Sequence, residues 1–115
     1  MSLYLYKAQV VRVVDADTII VNVDLGFEVW VKNIVLRVQG IDAYETRLSK
    51  TTTQAMKEIG LEAKEYVIDM AWNHKCTIRT DSKGKYGRWI AEIYFDDINL
   101  GDHLVKKEYA VYKEY

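Results

Sequence analysis

Proline is missing altogether from this 115-residue chain, cysteine occurs once and histidine twice. The lone cysteine, Cys76, closes no disulfide and builds no thiolate metal cluster. His74 and His103 stand far apart, which argues against a zinc site. No apolar run reaches the roughly 20 residues that a membrane span requires, and no basic-apolar-small leader opens the chain. The expectation is a soluble protein with no membrane role, intracellular or secreted with its leader removed, and with no obligate protein partner. An excess of either charge is lacking too, since 16 basic against 17 acidic residues give a formal net charge of -1. That balance argues against a surface that grips nucleic acid everywhere by counterion release. It leaves room for a small, locally charged site.

What is present is a core former: 50% of the residues are apolar and 29% are charged. The length suits one domain over residues 1–115, with residues 1–3 read as an appendage. Aromatic and β-branched residues predict a strand from Tyr4 to Val14. From Thr18 to Asp24 the alternation is clean, with Ile19, Val21 and Val23 on one face. A turn at Leu25–Phe27 leads into a long extended run from Glu28 to Ile41. Its apolar parity slips at Lys32 and Asn33, which predicts a bulge or corner. Met56, Ile59, Gly60, Ala63, Val67, Met70 and Ala71 form one stripe of a helix over about Gln54 to Asn73, with Thr51 and Gln54 as its capping box. A second hairpin, Lys75–Thr80 with Trp89–Phe95, a short helix over Asn99–Tyr109 and a last extended piece over Ala110–Tyr115 complete the order. Five strands with the long helix between the third and fourth predict an α+β fold around an OB-type barrel.

Three polar clusters fall at strand ends: VVDADT, LRVQGIDAYET and KYGR. Each has a plain reading by itself. Asp15 and Asp17 suit a hairpin cap, Arg37 an outward mid-strand position, and KYGR a hairpin tip. Together they are less plain, because strand ends of a small barrel converge on one rim. Carboxylates gathered there repel unless a cation lies between them. Oxygen donors without histidine or cysteine select a hard ion, calcium or magnesium. Two arginines add the bidentate donors that recognise phosphate. A metal, phosphate clamps and a spare carboxylate are the parts for phosphodiester hydrolysis.

From about Lys7 to Tyr112 the chain resembles the staphylococcal nuclease (thermonuclease) family. The resemblance rests on DADT, then RVQGIDAYET, then KYGR, in that order with a long helix between the last two. It implies an OB barrel that hydrolyses DNA or RNA with calcium, on single-stranded or frayed substrate, leaving 3'-phosphate ends. It further implies that Asp17, Asp42 and the Ala43 carbonyl bind calcium, and that Glu45 orients or deprotonates the attacking water. Arg37 and Arg88 correspond to the arginines on the reacting phosphate, Lys85 and Tyr86 to contacts with a neighbouring phosphate. Tyr109 and Tyr112 are candidates for stacking on a base, with core or rim packing as their ordinary alternative. Three departures stand out: Tyr44 where the family usually has proline, a shorter segment over Thr46–Thr53, and an end at Tyr115 before a further helix. Two rival readings remain, a non-catalytic OB-fold nucleic-acid-binding module and an interaction domain whose acids and arginines are surface salt bridges.

Overall fold

The computed structural model describes residues 3–43, 53–84 and 87–113. Its elements are β1 (Leu5–Asp15), β2 (Thr18–Asp24), β3 (Trp30–Val38), β4 (Ile41–Ala43), α1 (Gln54–Met70), β5 (Lys75–Lys83), β6 (Trp89–Phe95), β7 (Ile98–Asn99), α2 (Leu100–Lys106) and β8 (Ala110–Tyr112). The large sheet runs β3-β2-β1-β5-β6, and a parallel pairing of β3 with β6 closes it into a five-stranded barrel. The α+β barrel expected from the sequence is therefore the fold found.

Curling so few strands into a closed barrel requires extra residues on the outer path. β1 carries two register shifts against β2, between Val10 and Arg12 and between Val13 and Asp15. β3 carries the bulge predicted at Lys32–Asn33: Val21 pairs with Ile34, whereas Val23 pairs with Val31. Asn33 takes a left-handed φ of 57° there, and its N–H donates to Asn22 Oδ1 at 2.9 Å. The polar side chain opposite thus satisfies a backbone group that the bulge takes out of the ladder.

Ile19, Leu36, Ile78 and Ile93 point inward and are fully buried. Each is worth about 1.5–3 kcal/mol relative to exposure. Leu36 directly precedes Arg37, so the core anchors the strand that carries the site. On α1 the predicted stripe is found, with Gly60, Ala63 and Val67 buried. Its cap is Thr53, whose Oγ1 accepts the Met56 N–H at 3.2 Å. Gln54 is instead the first helical residue, and Thr51 lies outside the described residues.

The predicted run from Glu28 to Ile41 divides in two. Gly40, at φ 77°, turns the chain out of the barrel so that β4 pairs with β8 in a separate two-stranded sheet. Glycine adopts that left-handed conformation without the steric cost other residues incur. Asn99 caps α2, and Glu108 at φ 64° turns the chain into β8. No helix among the described residues is long and apolar enough to cross a membrane.

Cys76, on β5 opposite Ala8, is 7% exposed, and burial pushes its thiol from 9.0 up to about 12. The thiolate is the reactive form, so alkylation of the native protein at mildly alkaline pH is expected to be far slower than in denaturant. Equal rates in the two conditions would contradict this burial. The folded value lies above the unfolded one, so this group's stabilisation is complete below about pH 9. It is lost as pH climbs towards 12.

Candidate active site

Strand register assembles the site. β2 pairs with β3 so that Thr18 lies opposite Arg37, and the Val38 N–H donates to the Asp17 carbonyl at 2.9 Å. This places Asp17 beside Arg37 although 20 residues separate them. The turn at Gly40 then returns Asp42 to the same arginine. The Arg37 guanidinium spans the two carboxylates, Nη1 lying 3.0 Å from Asp17 Oδ2 and Nη2 3.1 Å from Asp42 Oδ1. Asp17 also accepts the Ala43 N–H at 2.9 Å on Oδ2 and the Thr18 hydroxyl at 3.1 Å on Oδ1. Asp17 and Arg37 are buried, at 7% and 6% exposure, whereas Asp42 is half-buried.

A guanidinium and two further donors pull the Asp17 carboxyl down, but burial outweighs them. Burial raises the Asp17 carboxyl above its ordinary 3.8, outweighing Arg37, the Ala43 N–H and the Thr18 hydroxyl, and the charge of Asp15 pushes in the same direction. The folded value exceeds the unfolded one, so the stability linked to this group is complete below about pH 3.8 and lost as pH rises through the folded value.

The donors suit a hard cation. Asp17 and Asp42 offer only oxygen. Among the described residues no three histidine, cysteine, aspartate or glutamate side chains converge on one point, so an ion there would rest on two carboxylates and backbone oxygen.

β8 contributes a residue that the sequence reading did not single out. Its pairing with β4 sets Val111 opposite Asp42, and the Lys113 N–H donates to the Gly40 carbonyl at 2.8 Å. The Lys113 ammonium thereby lies 3.6 Å from Asp42 Oδ2, half exposed to solvent. No local pattern marks Lys113, because only the β4–β8 pairing that follows the break at Gly40 brings it to the site.

Arg88 is half-buried at the exit of the β5–β6 hairpin, where the Gly84 N–H donates to its carbonyl at 2.6 Å. The closure of β6 on β3 sets Ile90 opposite Arg37, so Arg88 lies two positions along the chain from Arg37's partner. Tyr112 is 64% exposed on β8, and its hydroxyl donates to Asp102 Oδ1 at 3.1 Å. That bond is the main reason its phenol is raised. Tyr109 packs half-buried against the core and against the Tyr66 ring at 5.6 Å, the ordinary packing role. Glu45, Lys85 and Tyr86 lie outside the described residues.

The profile of the staphylococcal nuclease homologue family matches residues 35–115, the part that holds Arg37, Asp42 and Arg88. The thermonuclease of Staphylococcus hyicus is 33% identical over 109 residues, covering 93% of this chain and 59% of that protein. An uncharacterised protein of Methanocaldococcus jannaschii is 32% identical over 126 residues, covering 91% and 58%. A probable staphylococcal-like nuclease of Oryza sativa subsp. japonica is 29% identical over 82 residues, covering 71% and 22%. The chain spans less than two thirds of the length of each.

Proposed function

This chain belongs to the staphylococcal nuclease family, and on that premise we propose that it hydrolyses phosphodiester bonds of DNA or RNA with calcium held by Asp17, Asp42 and the Ala43 carbonyl. The observation that carries the reading is the meeting of Asp17 and Asp42, distant in sequence, on one buried arginine. When bound, calcium would supply a Lewis-acid contact to a phosphate oxygen and lower the pKa of a bound water.

The rest of the chemistry belongs to the chain's own side chains. Asp17 and Asp42 hold the Arg37 fork in one orientation before substrate arrives, so little reorganisation is needed as charge grows on the phosphate. Arg37 and Arg88 together neutralise that charge from the β3–β6 seam. Glu45 orients or deprotonates the water for in-line attack, which leaves a 3'-phosphate. Lys85 and Tyr86 hold the next phosphate, and Tyr112 offers a ring for a base. A single-stranded or frayed substrate suits a site of this kind, since the bases must leave their stack to reach it.

The experiment is incubation of plasmid and single-stranded substrate with a series of divalent ions and with a chelator, followed by assay of the product ends. Cleavage with calcium, abolished by the chelator and leaving 3'-phosphates, is the expected result. The rival reading as a non-catalytic binding module draws on one observation, that Arg37 and Lys113 already engage both Asp42 oxygens. Binding without cleavage under every ion would establish it instead.

Lys113 gives a further prediction. Its ammonium competes for an oxygen that the ion needs, so Lys113→Gln is expected to bind calcium about 3–10-fold more tightly at low salt, narrowing as salt screens the exposed charge. Calorimetric titration reads this directly. An unchanged or weakened affinity would remove Lys113 from the site.

A further inference from the structure

The barrel end opposite Asp17 has no role in the proposed chemistry, yet it exposes a cluster of large apolar side chains. Tyr4 and Leu5 open β1 there, Leu25 and Phe27 form the β2–β3 turn, and Val29 and Val31 lead into β3, each at least 38% exposed. Between them lies a cavity of about 360 Å3, lined by Tyr4, Tyr6 and Trp89 together with Val23, Leu36 and Ile78. That volume falls in the range of roughly 300–1,000 Å3 typical of ligand pockets.

A lysine stands over an aromatic ring at this mouth, and another does so nearby. Lys83 lies with its ammonium 5.8 Å from the centre of the Trp89 ring, and Lys32 lies 6.0 Å from that of Trp30. Asp24, which accepts the Gly26 N–H at 2.8 Å, and Glu28 are the acids on the neighbouring turn. A second copy docked face to face would set Lys83 against its own counterpart. Aromatic rings beside a lysine are what a single strand uses, its bases stacking while a phosphate meets the ammonium.

The mouth is also continuous with the hairpin of the proposed phosphate site. Lys83 and Trp89 are direct partners across β5 and β6, the two legs of the hairpin whose exit carries Arg88. Trp89 faces the barrel interior beside Leu36, whereas Arg37 faces away from it. A strand joining the two places must round the β3–β6 seam, so they would be filled by nucleotides several positions apart.

We propose that this aromatic mouth is a second, base-binding subsite for single-stranded nucleic acid, with Tyr4, Tyr6 and Trp89 as stacking surfaces and Lys83 as a phosphate contact. The identity of the polymer rests on the nuclease reading above.

The test is fluorescence-anisotropy titration of a labelled single-stranded oligodeoxythymidine of about eight nucleotides, with chelator present so that nothing is cut. Tyr4→Leu and Trp89→Leu are each expected to weaken binding about fivefold or more, the loss of one stacked base. Trp72→Phe, at a site 78% exposed and outside the cavity, should bind like the wild type. Tyr4 is 52% exposed, so its variant stays informative even if Trp89→Leu does not fold. Wild-type affinity in Tyr4→Leu, or no binding by the wild type, overturns the subsite. So does a mouth that instead holds anionic phospholipid vesicles through Phe27, while the oligonucleotide ignores Tyr4. Cleavage of the same oligonucleotide by the wild type with calcium is scored separately. Lost affinity without any cleavage leaves the subsite standing and removes the nuclease reading; cleavage with unchanged affinity does the reverse.

Discussion

Arg37→Ala is expected to lose at least about 10²–10³-fold in phosphodiester cleavage and, in the same variant, about 3 kcal/mol of stability. Both losses follow from one geometry. The guanidinium contacts Asp17 at 3.0 Å and Asp42 at 3.1 Å from within the barrel wall. Without it, Asp17 keeps only the Ala43 N–H and the Thr18 hydroxyl against a burial that already raises its carboxyl. Removing one partner of a buried pair costs far more than the pair contributes, because the remaining charge stays desolvated. The half-exposed Asp42 adds little to that cost, since solvent screens it. Arg37→Lys separates the two effects. It keeps the charge and much of the stability, yet an ammonium cannot span two carboxylates and a phosphate as a planar fork does. Thermal unfolding and cleavage assayed on both variants check the claim; full activity in Arg37→Lys would show that charge alone suffices.

Glu45→Ser and Arg88→Ala form the complementary case. Each is expected to lose about 10²–10³-fold in turnover, the usual effect of removing one preorganised group. The unfolding temperature should change less than in Arg37→Ala, which strips the guanidinium from two carboxylates. The opposing outcome is clear: wild-type-like cleavage by both variants would remove the water-orienting and phosphate-holding roles together. Should either variant unfold early while its folded fraction cleaves normally, that residue serves structure instead.

The order of elements was legible because the patterns are local. Alternation from Thr18 to Asp24, the stripe from Gly60 to Val67 and the parity slip at Lys32–Asn33 each report which face is buried, and each was found. Boundaries set by single backbone conformations were not legible in the same way. Gly40 is one residue with a left-handed φ, and nothing in an apolar count distinguishes a strand that runs through it from one that ends there. That misreading hid the β4–β8 pairing and, with it, the approach of Lys113 to Asp42. In the same way, three threonines precede α1, the sequence reading took Thr51, and only the backbone geometry selects Thr53 as the cap.

Of the site, the sequence suggested that acids and arginines would share one rim, with a cation and the arginines together making the charge tolerable. In the folded chain Arg37 itself does much of that work. The parity that takes Arg37 off the apolar row was visible, yet its burial was not. An outward side chain is buried only when another element covers it, and here that cover comes with the turn that brings back Asp42 and Ala43.

The most direct measurement is a crystal structure of the protein with calcium and a non-hydrolysable nucleotide. The account predicts the ion on Asp17, Asp42 and the Ala43 carbonyl, a water on Glu45, and Arg37 and Arg88 both on the phosphate. Calcium bound elsewhere, or a nucleotide seated where neither arginine reaches its phosphate, would contradict it.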